Sequence, residues 1–137
     1  MLKKVIRFED LEGNTVEKEY YFNLNKAEIL KLQLGTKGGL DKKLKKIASN
    51  NDFGELLDFI SELVLLSYGE KDDDGIKFVK VKNGVRLADE FQQTEAYSEL
   101  IMELTQNVDK FNEFINNIIP KSLAEQIASE QKKLEVK

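Results

Sequence analysis

The chain has 137 residues, of which 41% are hydrophobic and 34% are charged, and its formal net charge is −4. This length fits one domain with a sizeable core, and the negative charge gives no general attraction for DNA or another polyanion. The chain has no cysteine and no histidine, which excludes disulfides, thiolate metal sites, cysteine nucleophiles, and the commonest general base and zinc ligand.

No targeting or membrane segment is expected. The first ten residues, MLKKVIRFED, contain several charges and no long apolar run, unlike a signal peptide. The longest apolar run, at residues 63–66, is far too short to cross a bilayer. These features predict a cytoplasmic protein.

Residues 4 to 24 are predicted to form a β-hairpin. Ile6 and Phe8 alternate with charged residues, and a turn signal, Glu-Gly-Asn, follows at residues 12–14. The apolar residues of the return strand share one parity, and they are Val16, Tyr20, Phe22 and Leu24. Because an isolated hairpin is marginal in water, its apolar face must pack on another element.

Two helices are predicted between residues 25 and 50. Asn25 and Glu28 have capping-box spacing, which favours a helix. The leucines that follow alternate, which fits an extended strand equally well, and they are Leu30, Leu32 and Leu34. Three glycines end this element, namely Gly35, Gly38 and Gly39. The second helix has an apolar face of Leu40, Leu44, Ile47 and Ala48, and a solvent face of Lys42, Lys43, Lys45 and Lys46.

The main helix is predicted to begin at Asp52, which has capping-box spacing with Glu55. Its apolar residues form one wide stripe of Phe53, Leu56, Leu57, Ile60, Leu63 and Val64. Phe59, Leu65 and Leu66 extend this stripe, so the helix should be covered on more than one side. Gly69 ends the helix.

A second, shorter hairpin follows the main helix. Residues 72–75, Asp-Asp-Asp-Gly, form a turn, and a strand is predicted from residue 76 to residue 81. Asn83-Gly84 is the strongest short hairpin signal in the chain. Val85 and Leu87 are predicted to continue the return strand.

Further helices complete the chain. Thr94 is the predicted N-cap of a helix, and a break near residues 106–107 separates it from the next one. The apolar faces of these two helices are Tyr97, Leu100, Ile101 and Leu104, then Phe111, Phe114, Ile115 and Ile118. Pro120 suits the first turn of a final helix, whose apolar residues are Leu123, Ala124, Ile127 and Ala128. Residues 131–137 are polar and are expected to fray.

These elements predict an α+β fold that is mostly α. An N-terminal β-hairpin and a short second hairpin are expected to pack on a bundle of about five helices, within a single domain over residues 1–137. Residues 52–104 are expected to form the core, because two apolar helices close in sequence must meet in space.

The charged clusters do not predict a chemical site. The turn at residues 72–75 resembles a calcium loop, but its twelfth loop position is Val81, where an EF-hand places a glutamate. Residues 35–39 lack the order of a phosphate loop, and the lysine face lacks the aromatic or arginine partners of a nucleic-acid surface. Three glutamates lie opposite an apolar stripe, where water is expected to surround them, and they are Glu95, Glu99 and Glu103. No catalytic, cofactor-binding or metal-binding residue is predicted.

The final helix is the candidate partner-binding element. Its apolar stripe is short, follows a proline and precedes a polar tail, so the helix can dock on its own core or on a partner. Leu123 and Ile127 are the candidate contact residues, and any uncovered side of the main helix is a second candidate surface.

Several short motifs of the chain occur in the order of a known family. They are Tyr68-Gly69-Glu70-Lys71, Asp74-Gly75 with Phe78, Glu90-Phe91, Thr94-Glu95-Ala96-Tyr97-Ser98-Glu99-Leu100, and Ile118-Ile119-Pro120. Upstream, residues 25–29 and the step Gly38-Gly39-Leu40 before a basic helix also fit. In this order the chain resembles the tail assembly chaperones of long-tailed, siphovirus-type bacteriophages and prophages of Gram-positive hosts, over about residues 5 to 120.

This resemblance implies a non-enzymatic role without cofactors. Such proteins bind the long, aggregation-prone tape measure protein in the host cytoplasm and keep it soluble while tail tube subunits polymerise around it. They are absent from the finished virion, and in many phages a longer, frameshifted product recruits the tail tube protein. The expected partners are therefore the tape measure protein and the tail tube protein, with a homo-oligomer also open, and with no nucleic acid and no membrane.

Two other classes stay open at this point. A phage structural part, such as a head–tail connector or a tail terminator, would stay in the virion, and mass spectrometry of purified particles would detect it there. A small DNA-associated regulator would use the lysine face and would show salt-dependent retention on DNA. An enzyme is disfavoured in a chain without histidine, cysteine or a phosphate loop.

Overall fold

The computed structural model describes residues 1–35, 38–50 and 53–120. It confirms the predicted α+β class, with an antiparallel N-terminal hairpin, a short second hairpin and more residues in helices than in strands. In chain order the elements are β1 (Leu2–Glu9), β2 (Thr15–Phe22), α1 (Lys26–Gly35), α2 (Gly39–Asn50), α3 (Phe53–Ser67), β3 (Tyr68–Lys71), β4 (Phe78–Val79), β5 (Val81–Lys82), β6 (Val85–Arg86), α4 (Leu87–Phe91), α5 (Glu95–Gln106) and α6 (Val108–Ile118).

The N-terminal hairpin forms as predicted, with every residue of β1 paired to β2. Its turn is fixed by Asp10, whose carboxylate accepts hydrogen bonds from the N–H groups of Glu12 at 3.0 Å and Asn14 at 2.8 Å. Gly13 has a φ of 86°, a left-handed conformation that favours glycine. The predicted turn therefore forms through the hydrogen bonds of Asp10 and the left-handed conformation of Gly13.

A strand that the sequence analysis did not predict joins the hairpin to the main helix. β3 begins at Tyr68, directly after α3 ends at Ser67, and pairs antiparallel with β2. β4 then pairs with β3, giving the strand order β1-β2-β3-β4. The separate β5–β6 hairpin turns at Asn83 and Gly84, whose φ values are 52° and 77°, as the Asn-Gly signal predicted.

Three predicted helix starts are confirmed by capping hydrogen bonds. The Asn25 side chain accepts from the N–H of Glu28 at 2.8 Å, and the Glu28 carboxylate accepts from the N–H of Asn25 at 3.0 Å. This reciprocal cap begins α1, so the alternating leucines that follow are helical and not extended. Thr94 caps α5 by accepting from the N–H of Tyr97 at 3.3 Å, and Asn107 caps α6 at the predicted break.

Leu87 does not continue the return strand, and that prediction was wrong. β6 ends at Arg86, and Leu87 begins the five-residue helix α4. Leu87, Ala88 and Phe91 are all buried, which is the spacing of one side of a helical turn. Two apolar residues separated by one position fit a strand and the start of a helix equally well, so the local pattern did not distinguish them.

The core joins the sheet to buried residues of α1, α3, α4, α5 and α6. α3 packs on α5 as predicted, but the hairpin and α6 also place buried side chains in the same cluster. The fully buried large apolar side chains include Phe22, Leu24, Ile60, Val64, Leu100 and Ile118. Residues 52–104 therefore supply part of the core, and residues before and after this segment supply the rest.

Aromatic rings occupy the centre of this core. Tyr68 stacks on Phe91 with a centroid distance of 4.2 Å and an interplanar angle of 7°. Phe22 meets both rings edge-on, at 5.7 and 5.8 Å, and meets Phe114 of α6 edge-on at 5.3 Å. Burial, together with the nearby charge of Glu70, raises the pKa of Tyr68 to about 12, so its phenol is neutral at physiological pH.

Some predicted features lie outside the described residues. They include the cap at Asp52 and the final helix with Leu123 and Ile127. α2 is helical as predicted, but the side chains of its predicted apolar face are also outside what the structure describes, and they are Leu40, Leu44, Ile47 and Ala48.

Candidate interaction surface

The Asp-rich segment between β3 and β4 forms a hydrogen-bonded turn. The Asp72 carboxylate accepts from the N–H of Ile76 at 3.0 Å, and the N–H of Asp72 donates to the carbonyl of Lys77 at 3.0 Å. Asp72 therefore stabilises the turn through its own backbone and side chain. Across residues 1–35, 38–50 and 53–120, no group of three acidic side chains is placed to hold a metal ion.

The lysine face of α2 points mostly to solvent. Lys42, Lys45 and Lys46 are exposed, whereas Lys43 is half-buried. The Nζ atom of Lys43 lies 5.0 Å from the ring centroid of Phe59 on α3, which is a favourable cation–π distance. One of the four lysines thus contributes to packing, and the other three form the predicted solvent face.

Glu103 departs from the prediction that water surrounds all three glutamates of α5. Its carboxylate pairs with Lys4 of β1 at 3.1 Å and with Lys110 of α6 at 3.2 Å. Burial by itself would raise the pKa of Glu103, but the hydrogen bonds from Lys4 and Lys110 outweigh burial and lower the pKa. Glu95 and Glu99 are exposed, as predicted. Glu103 therefore ties the sheet to two helices and is a structural residue.

Replacing Glu103 with glutamine is expected to lower the free energy of unfolding by about 1 kcal/mol at pH 7, because its side chain is one-third exposed and its ion pairs are partly screened. The folded-state pKa is depressed, so the stabilisation is present above the ordinary pKa of 4.5 and is lost as the pH falls through the folded-state pKa. Urea denaturation of both proteins between pH 7 and pH 3 measures this difference.

Glu99→Gln is the matched control for Glu103→Gln, since Glu99 lies one helical turn earlier and is exposed. We expect this control to change stability by less than about 0.5 kcal/mol at every pH. An equal, pH-independent loss in both variants would contradict the assigned role of the Glu103 ion pairs.

The first two turns of α3 carry exposed apolar side chains. Phe53 is 75% exposed and Leu57 is 43% exposed. They are four residues apart, so they lie on the same side of the helix. Both were predicted to belong to a buried stripe, of which Ile60 and Val64 are buried and Leu56 packs against the core, but Phe53 and Leu57 stay exposed. Among the residues that the structure describes, one side of the main helix is therefore left uncovered at its start.

α1 has a similar exposed pair. Leu34 is 80% exposed and Leu30, one turn earlier, is 59% exposed. Ile29 is buried and Leu32 packs against the core, so α1 has apolar residues on two sides. This arrangement explains why its sequence alternates and lacks a single apolar face.

We call Leu30, Leu34, Phe53 and Leu57 the exposed apolar set. Single exposed apolar residues are common on protein surfaces, but pairs one helical turn apart match the spacing at which an amphipathic partner helix is bound. An indication was present in the sequence, because α3 has more apolar positions than one helix face can bury. The sequence could not show which of those positions the core leaves uncovered.

The earlier candidate contacts, Leu123 and Ile127, lie outside the described residues, so the structure does not place them relative to the exposed apolar set. Within the described ranges, no helix combines the length and apolar character needed to cross a membrane.

Comparison with known proteins identifies a family for this chain. A family model described as phage tail assembly chaperone matches residues 1–137, which is the full length of the chain. No curated protein and no solved structure matches the chain significantly.

Proposed function

Because the chain belongs to the phage tail assembly chaperone family, we propose that it binds the tape measure protein, keeps it soluble and supports polymerisation of the tail tube around it. In this proposal the chain acts without catalysis, as a single domain, in the host cytoplasm, and does not enter the virion. The tail tube protein is a second proposed partner, through a longer, frameshifted product.

The exposed apolar set is the observation that supports client binding. A protein that keeps an aggregation-prone helical client soluble needs apolar side chains that are free in the unbound state. Phe53 and Leu34 are at least three-quarters exposed, and each has an apolar neighbour one turn away on the same helix. Such pairs fit the i, i+3, i+4 and i+7 apolar positions of a client helix.

A modest affinity at each set would be sufficient for this role. The tape measure protein is long, so many copies of the chaperone can bind along one client molecule. When one client is bound at several points, the second and later contacts form at a high effective concentration. A small apolar surface repeated along the client therefore gives strong overall binding.

Replacing Phe53 and Leu57 together with aspartate is expected to abolish most of the client solubilisation while leaving the fold intact. Both side chains are exposed, and residue 53 is the first residue of α3, where a negative charge interacts favourably with the helix dipole. Co-expression with tape measure fragments, followed by separation of soluble and pelleted client, measures the effect. We expect the soluble fraction to fall about tenfold, as charged residues in an apolar contact cost on the order of 1.4 kcal/mol or more.

The matched control is the double variant Leu11→Asp/Ile76→Asp. These residues are also large, apolar and highly exposed, but they lie in the two turns of the sheet and not on a helix. The control is expected to keep client solubilisation, and Leu123→Asp/Ile127→Asp tests the other candidate contacts in the same assay. If Phe53→Asp/Leu57→Asp solubilises the client as well as the unmodified chain, the α3 pair is not the client surface, and if Leu30→Asp/Leu34→Asp does so too, the exposed apolar set as a whole is ruled out.

A further inference from the structure

The outer edge of β1 is a long open sheet edge in the described part of the chain. The N–H of Asp10 donates to the carbonyl of Asn14 at 2.8 Å, which makes this a hydrogen-bonded pair of the β1–β2 hairpin. Hydrogen-bonded and non-hydrogen-bonded pairs alternate along an antiparallel ladder, so the even-numbered residues of β1 bond to β2. The odd-numbered residues therefore direct their backbone N–H and C=O groups away from β2, and they are Lys3, Val5, Arg7 and Glu9.

These outward-facing groups have no partner within residues 1–35, 38–50 and 53–120. β1 is the terminal strand of its sheet, and no turn, loop or side-chain hydrogen bond in those ranges uses the backbone of the four residues. β1 is eight residues long, pairs with β2 without a bulge and contains no proline. Bulges, prolines and short lengths are among the usual protections of an edge strand, and β1 lacks all three. Charged side chains are another protection, and β1 carries them, so whether the edge can accept a further strand depends on how its charges are arranged.

The charges along β1 are complementary to those of a second copy of β1 that runs antiparallel to it. Lys3 and Glu9 are equally far from Ile6, on opposite sides of it, and both side chains are exposed. Within its own chain Lys3 also pairs with Glu19 of β2 at 3.3 Å, but both side chains are about half exposed, so this ion pair is weak. If a second copy of β1 runs antiparallel with Ile6 opposite Ile6, Lys3 lies opposite Glu9 at both ends, and Val5 lies opposite Arg7. All four of these residues face outward, so the register also allows the backbone hydrogen bonds of an antiparallel pair.

Neighbouring registers that keep the backbone hydrogen bonds are less favourable. A shift of the second copy by two residues in one direction places Lys3 opposite Arg7. The same shift in the other direction places Arg7 opposite Arg7. Like charges directly opposite each other destabilise a strand pair, so the charges of β1 select the register that is centred on Ile6.

We propose that two copies of the chain pair through the outer edge of β1, antiparallel about Ile6, and join their four-stranded sheets into one. This pairing concerns a different part of the molecule from the exposed apolar set and requires no client. The charges that commonly keep sheet edges apart are here arranged to attract a second copy. A dimer would carry two exposed apolar sets and would bind an extended client with greater avidity than one copy.

Sedimentation equilibrium of the full chain tests this proposal. We expect a dimer of twice the 15.7 kDa chain mass that dissociates on dilution. Glu9→Lys and Lys3→Glu each bring like charges together at both ends of the strand pair, and each is expected to weaken the dimer about tenfold. The double variant Lys3→Glu/Glu9→Lys restores opposite charges with reversed sign and is expected to recover the dimer.

Val5→Pro is a second variant whose effect does not depend on charge. The N–H of Val5 points away from β2, so proline there keeps the β1–β2 hydrogen bonds while removing a donor from the open edge. We expect a folded monomer, with the melting temperature as the check on folding.

Three results would each overturn the proposal. They are a chain that is monomeric up to its solubility limit, a dimer unaffected by the single charge reversals, and a double variant that fails to recover the dimer. Pairing of β1 with a tape measure fragment and not with a second copy would also overturn it.

Discussion

Replacing Phe22 with alanine is expected to lower the free energy of unfolding by about 3 to 5 kcal/mol. The Phe22 side chain is 0% exposed and touches three other rings, those of Tyr68, Phe91 and Phe114. Its removal leaves a cavity where the sheet meets α4 and α6, and it also removes the edge-on ring contacts, which add about 0.5 to 1.5 kcal/mol each to aromatic packing. Because small domains are stable by only about 5 to 15 kcal/mol, this variant should be near the limit of folding.

Phe53→Ala is the matched control for Phe22→Ala. It removes the same atoms from a ring that is 75% exposed, so we expect a change within about 0.5 kcal/mol. Urea denaturation followed by circular dichroism measures both variants. A loss below about 1 kcal/mol for Phe22→Ala would mean that the aromatic centre does not hold the sheet on the helices.

The features that the sequence predicted correctly have causes within a few residues of each other. The turn at Gly13, the reciprocal cap of Asn25 with Glu28, and the turn at Asn83-Gly84 each depend on side chains or φ preferences that act locally. The hairpin and most helix boundaries follow from such signals. They were therefore predictable from the sequence alone.

The features that the sequence missed depend on contacts between distant residues. Glu103 looked like a solvent-facing residue of α5, because its partner Lys4 lies 99 positions away. The apolar stripe of α3 includes Phe53 and Leu57 in sequence, but the packed core leaves both exposed. Periodicity identifies a helix face that can be buried, and only the tertiary packing determines how much of it is buried.

The same limit applies to the candidate site. Any uncovered side of the main helix was a candidate surface, and Phe53 and Leu57 are the exposed apolar residues on that helix. The pair on α1 was not predicted, because the capping box of Asn25 and the alternating leucines gave conflicting indications there. In the structure the hydrogen bonds of the Asn25–Glu28 cap begin a helix, and the leucines that follow are helical.

Gly69 shows how a motif residue can be required by packing alone. It lies in β3, within the Tyr68-Gly69-Glu70-Lys71 motif, and β4 passes close beside it. A Cβ atom added at Gly69 would lie 2.5 Å from the carbonyl oxygen of Val79 and 2.6 Å from the ring of Phe78. Val79 is paired with Glu70 in the β3–β4 ladder, so its carbonyl cannot move without loss of that pairing. From the sequence, the only structural role predicted for this glycine was to end the main helix.

Gly69→Ala is therefore expected to destabilise the chain by about 2 to 3 kcal/mol, through overpacking against backbone that cannot relax. Gly35→Ala is the control, because a Cβ atom there meets nothing within 4 Å and the change also replaces glycine at the end of a helix. We expect the control to be neutral or to stabilise the chain by up to about 1 kcal/mol. Thermal denaturation compares the two, and backbone hydrogen exchange at Glu70 and Val79 should show where the loss occurs. If Gly69→Ala were as stable as Gly35→Ala, β4 could not pass as close to β3 as the structure places it, and the role of this glycine in the motif would need another explanation.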